Sequence, residues 1–133
     1  MTVAPTGNRT TSTDVVDLRV PADPVYLAVV RSTTAGLAAR LDLTLDEIED
    51  MRIAVDEACA LVMARQAQPG AVLHAAFTIA SESLEVVVDG PARSLPDQGN
   101  FAWSVLEALV DTVETGRSRS GSWIRLVRPA GRR

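Results

Sequence analysis

The chain has 133 residues, 47% apolar and 23% charged, a balance that suits one compact domain with its own core. Its formal charge of −4 excludes a general electrostatic attraction to nucleic acid or acidic lipid. A single cysteine, Cys59, and a single histidine, His74, exclude an internal disulfide and a zinc cluster. No apolar run reaches the roughly 20 residues of a membrane span.

All thirteen basic residues are Arg, whose guanidinium forks suit carboxylates and phosphates better than Lys does. Residues 1–13 are polar and Thr-rich with Pro5 and Gly7, and predict a disordered tail. They lack a basic start followed by an apolar core, so no signal peptide is expected and a cytoplasmic location is the default. Residues 14–129 read as one domain and 130–133 as a short C-terminal tail.

In DVVDLRVPA, Val16, Leu18 and Val20 alternate with Asp17 and Arg19, which predicts a half-buried strand ended by Pro21. Asp23 is placed to cap a helix with Pro24 at its first position. Leu27, Val30, Leu37 and Leu41 continue it at helical spacing, although Gly36 weakens such a helix by about 1 kcal/mol relative to Ala. The clearest helix is TLDEIEDMRIAVDEACALVMARQAQ. Thr44 and Glu47 form a T-x-x-E capping box; Ile48, Met51, Val55, Ala58 and Val62 make one apolar stripe; Pro69–Gly70 is the predicted stop. Cys59, on that stripe, reads as a small core residue rather than a reactive thiol.

AVLHAAFTIA and SLEVVVDG, split by the polar SES, predict an antiparallel hairpin without the tight Asn-Gly turn. PARSLPDQGN predicts a loop, FAWSVLEALVDTVE a helix, TGRSRSGS a polar turn and WIRLVRP a last strand. The order strand, helix, helix, strand, strand, helix, strand favours a two-layer α+β sandwich, with a mainly antiparallel sheet covered on one face by helices.

This order, together with RIAVDEACALVM on the second helix and LEVVVDG on the third strand, resembles the anti-sigma factor and switch-protein serine kinase branch of the GHKL (histidine-kinase-like) ATPase superfamily. The likeness runs from about Val15 to Pro129. It implies the fold just named, and a protein that holds an RNA polymerase sigma factor of the stress or sporulation type. In that family the second helix carries E-A-x-x-N, a catalytic-base Glu and an Asn that ligates Mg²⁺ on ATP. Here EACAL matches Glu57 to the Glu and puts Leu61, which has no lone pair, at the Asn. The family's D-x-G-x-G turn is met in part, by Asp89 and Gly90, with Ala92 and Arg93 beyond them. The Gly-rich lid is reduced to Gly99 before bulky Phe101 and Trp103.

The resemblance with these departures implies a sequestering module without Mg·ATP-dependent kinase activity, so neither ATP nor Mg²⁺ is expected as a cofactor, and no metal site. Glu57 is read as a relic base or a ligand contact, or simply a solvated helix residue. Leu61 is a pocket wall or core. Trp103 is core, or closes the former pocket. Arg65, Arg93 and Arg117 read singly as scattered surface arginines, or together could replace a metal as counter-charge, which allows a small phosphorylated metabolite as a gating ligand where ATP once bound. The family further implies a STAS-domain anti-anti-sigma partner and a homodimer. The alternative is an enzyme, an ATP-dependent serine kinase that phosphorylates that STAS protein.

Overall fold

A computed structural model describes residues 13–64 and 68–129. The predicted tails, apart from Thr13 in an exposed position, and Arg65 lie outside the described residues.

Five strands form one antiparallel sheet in the order β1-β2-β3-β5-β4: β1 Asp14–Pro21, β2 Val72–Ala80, β3 Ser83–Gly90, β4 Thr112–Arg117 and β5 Ser122–Pro129. Strand parity decides which side is core. Val16, Leu18 and Val20 of β1 pair with Phe77, Ala75 and Leu73 of β2. Phe77 and Ala75 pair in turn with Val86 and Val88 of β3, and these with Leu126 and Ile124 of β5. All of these join one apolar cluster, beneath α1 Leu27–Ala38, α2 Leu45–Val62 and α3 Phe101–Leu109. The expected two-layer α+β sandwich is the observed one.

Local chemistry sets the helix starts. Asp23 accepts from the Val25 N–H at 3.0 Å and caps a 3-10 turn, Pro24–Tyr26, that leads into α1. At α2 the capping box is complete: Glu47 N donates to Thr44 Oγ1 at 3.1 Å and Thr44 N to Glu47 Oε1 at 2.8 Å. Met51, Ala54, Val55, Ala58, Cys59 and Val62 are buried along its inner face.

Two boundaries depart from the expectation. The second helix stops at Val62 rather than running towards Gln68. Met63 is extended, and the Val62 carbonyl accepts from Ala92 N at 2.8 Å instead of from a next helical turn. The third helix stops at Leu109, and the residues expected to continue it form a fifth strand. Val110 turns extended, Asp111 N donates to Val127 O at 3.0 Å, and Thr112–Arg117 pairs along β5. Thus TGRSRSGS is half edge strand and half turn. The expected hairpin is present and closes on Ser81 and Glu82, with no positive-φ residue other than glycine among those described.

Candidate functional site

The end of the sheet where β3 finishes gathers four pieces of chain: the exit of α2, the connection into β2, the β3–α3 loop and the β4–β5 turn. Their meeting is fixed by backbone. A Cβ on Gly90 would lie 2.5 Å from the Val62 carbonyl oxygen, so only glycine lets β3 end against the last turn of α2. Ala92 N then bonds Val62 O, and Ser122 Oγ donates to Ala92 O at 2.6 Å. The close approach that Gly90 allows is to the backbone of the last turn of α2.

Asp89 is the next residue back and points the other way. Alternation along β3 buries Leu84, Val86, Val88 and Gly90, which leaves Asp89 on the sheet face away from the helices, paired across strands with His74 and Trp123. Its Oδ1 accepts from Ser118 Oγ and from Ser120 Oγ, each at 3.0 Å. Ser118 Oγ in turn accepts from Gly121 N at 3.0 Å. The carboxylate thus braces the β4–β5 turn.

Around this junction lies a cleft of about 610 Å³ lined by Ala64, Ala71, Pro91, Arg93, Arg117 and Arg119, among others. An adjoining cleft of about 430 Å³ includes Arg19, His74 and Asp89. The two share Ala71, Pro91 and Ser120. His74 Nε2 lies 3.1 Å from Asp17 Oδ1 on the same open face.

The structure brings together Arg93 and Arg117 of the expected site residues, with Asp89 and Gly90 beside them. Glu57, Leu61 and Trp103 line neither cleft. Glu57 is exposed on α2. Leu61 is half-buried and packs on the core. Trp103 is a core residue whose Nε1 donates to the carbonyls of Pro96 and Asp97 at 3.1 and 2.9 Å, tying down the loop before α3. Cys59 is buried, and burial first, with the nearby Asp56 charge second, pushes its thiol up to about 12, the behaviour of a core thiol. Arg119 and the serines beside it were not singled out from the sequence. The alternation R-S-R-S-G at 117–121 was the available signal, since alternate residues of a strand end project to opposite sides.

A model of the histidine kinase-like ATPase domain family matches residues 20–128. The chain belongs to that family. It is 39% identical over 80 residues to the serine-protein kinase RsbW of Bacillus velezensis, covering 59% of this chain and 50% of that protein. It is 35% identical over 115 residues to the anti-sigma-F factor RsbW of Mycobacterium tuberculosis, covering 84% and 67%. The chain thus spans about half the length of the Bacillus relative. The crystal structure of the RsbU and RsbW domains of Rv1364c from Mycobacterium tuberculosis superposes with a TM-score of 0.67 at 17% identity, over 89% of this chain and 33% of that one, a likeness of fold.

Within this family's fold the donor set can be compared with what Mg·ATP requires. Mg²⁺ takes oxygen ligands in near-octahedral geometry. Leu61, at the position that the family resemblance gives to the metal-ligating Asn, supplies no donor atom, and the Asp89 carboxylate is engaged by two turn hydroxyls. These residues do not fit a Mg²⁺ bridging nucleotide phosphates. No helix among the described residues is long and apolar enough to cross a membrane.

Proposed function

We propose that this chain is an anti-sigma factor that holds a stress-type RNA polymerase sigma factor by surface contact, without Mg·ATP-dependent phosphoryl transfer. The observation that carries the second half is Leu61, a hydrocarbon side chain at the metal-ligand position. Phosphoryl transfer relies on the metal to neutralise phosphate charge, and Glu57 one turn earlier has no such partner beside it. Support for the first half comes from the Mycobacterium relative, named an anti-sigma-F factor. Sequestration needs shape and complementary charge only. The outward side of α2 carries Asp46, Glu49, Asp50, Asp56 and Glu57, an acidic face suited to a partner whose working surfaces contact DNA and are basic.

The reading includes a homodimer, release by a STAS-domain antagonist, and gating by a small phosphorylated metabolite near Arg93 and Arg117. Two measurements test it. Titration of purified chain with a stress-type sigma factor in nucleotide-free buffer should give a Kd of about 1 μM or tighter, near −8 kcal/mol. Absence of a complex sinks the sequestering half. Incubation with labelled ATP, Mg²⁺ and a STAS-domain protein should transfer no phosphate, whereas Leu61→Asn should introduce Mg·ATP binding. Transfer by the unaltered chain would put the serine kinase reading in its place.

A further inference from the structure

We propose that the cleft at the ends of α2 and β3 is a Mg²⁺-independent site for a small phosphate-bearing polyanion, seated between Arg93 of the β3–α3 loop and Arg117 and Arg119 at the β4–β5 turn. The inference rests on the gating arm of the proposed function and deepens it by naming the residues and the ligand chemistry. The cleft lies beyond the end of β3, and neither Glu57 nor Leu61 lines it.

The first argument is charge. Four described arginines are answered within the chain: Arg31 by Asp56, Arg52 by Glu49, Arg125 by Glu85 and Glu114, Arg128 by Glu47 and Asp111. Arg19, Arg40, Arg93, Arg117 and Arg119 have no ion-pair partner among the described residues. Of these, Arg93, Arg117 and Arg119 line one cleft and Arg19 the adjoining one. Residues outside the description cannot answer them with a carboxylate side chain, because positions 1–12, 65–67 and 130–133 contain no Asp or Glu. The nearby Asp89 carboxylate is taken up by the Ser118 and Ser120 hydroxyls and pairs with none of these arginines, and like charges gathered without an ion-pair partner cost free energy in the empty protein. An anion from outside removes that cost.

The second argument is preorganisation. Asp89 draws the Ser118 and Ser120 hydroxyls to one side, and Ser118 N bonds Gly121 O at 2.9 Å, so the turn that carries Arg117 and Arg119 is closed on itself. A Cβ on Gly121 would collide with the Gly90 carbonyl and with Pro91, which locks the turn against the loop that carries Arg93. Less ordering entropy is then lost when a ligand binds. The third argument is size and chemistry. A cleft of about 610 Å³ falls within the range of small-molecule sites. Guanidinium forks on two separate segments match several phosphate oxygens better than a single monoanion. A bound polyanion would tie the β3–α3 loop to the β4–β5 turn beside the exit of α2, and so couple the ligand to the acidic helix offered to the sigma factor.

The test is isothermal titration calorimetry of the purified chain with sodium tripolyphosphate and with inorganic phosphate, in EDTA at fixed ionic strength, with thermal unfolding run on each variant. Tripolyphosphate should bind at least about tenfold more tightly than phosphate. Arg117→Ala and Arg119→Ala should each weaken it by about tenfold or more, and Arg40→Ala should leave it unchanged. No heat at millimolar tripolyphosphate overturns the proposal. So does equal weakening by Arg40→Ala, which would mean diffuse charge attraction, and so does binding that needs Mg²⁺ and is lost in Glu57→Gln, which would return the site to the nucleotide position. Sigma-factor binding by the same variants, without anion, reads the sequestering half separately. It should be retained whichever way the anion titration falls.

Discussion

At the N-terminal end of α2, Arg128 reaches Glu47 at 3.4 Å, the Leu109 carbonyl at 2.8 Å and Asp111 at 3.9 Å. That one side chain closes the start of α2, the end of α3 and the last strand into a single joint. At the opposite end of α2 the chain is held by backbone contacts, Val62 to Gly90 and Ala92, and by the hydroxyls of Ser118, Ser120 and Ser122, and the arginines gathered there bond to none of the described side chains. The difference separates two uses of arginine in one molecule. The Arg128 guanidinium, which holds the fold, is largely buried and meets carboxylates and a carbonyl; the arginines proposed to take a ligand are exposed and are placed by a framework that does not need them.

The comparison breaks first if the backbone framework at the C-terminal end is dispensable. Gly90→Ala forces a Cβ to 2.5 Å from the Val62 carbonyl, and overpacking of this kind costs about 1–3 kcal/mol. Urea unfolding should show that loss, and an unchanged midpoint would mean that α2 and β3 are not clamped there. Next in size is Arg128→Ala, which leaves the Leu109 carbonyl without its guanidinium and removes two ion pairs from a side chain only 17% exposed. The expected cost is about 1–2 kcal/mol, read in the same assay. A neutral result would erase the contrast between the two ends.

Much of this was legible in the residues, and the unread part has definite causes. The capping box at Thr44 and Glu47 and the alternation of β1, β3 and β5 are local patterns with local physical reasons, so they read directly. The β4 strand did not. Only Val113 of Thr112–Arg117 is a large apolar residue, and an edge strand that buries little carries little periodicity. The alternation of Leu84, Val86 and Val88 with Glu85, Val87 and Asp89 did hold the information that Asp89 faces away from the helices. It was outweighed by the likeness of VVVDG to a nucleotide-binding turn. Grouping Arg93 with Arg119 needs the pairing of β3 with β5 and of β5 with β4, contacts across the sheet that no spacing along the chain encodes.

The middle of α2 offers a pH test that distinguishes its buried face from both ends. Burial raises the Cys59 thiol from an ordinary value of 9.0 to about 12. A raised folded-state value means that the unfolded chain gives up its proton first. Stability is then intact below pH 9.0 and falls as pH rises towards 12. At pH 10 the loss should be on the order of 1 kcal/mol. Cys59→Ala should flatten that slope while lowering stability at neutral pH. A thiol reagent should label the native chain only after unfolding, and rapid native labelling would mean that this face of the helix opens.

The smallest expected effect decides most about the comparison. Arg117→Ala combined with Arg119→Ala removes two exposed cations that make no ion pair among the described residues. Exposed substitutions away from caps, cores and networks stay within about 0.5 kcal/mol, and relief of like-charge crowding beside Arg93 would shift the result towards higher stability. The same double variant in the presence of tripolyphosphate should lack the ligand-induced rise in melting temperature expected of the unaltered chain. Stability unchanged and ligand stabilisation lost is the signature of residues held by the fold for an outside partner. A loss of stability as large as that of Arg128→Ala would instead make these arginines part of the framework, and the two ends of α2 would be built on one principle after all.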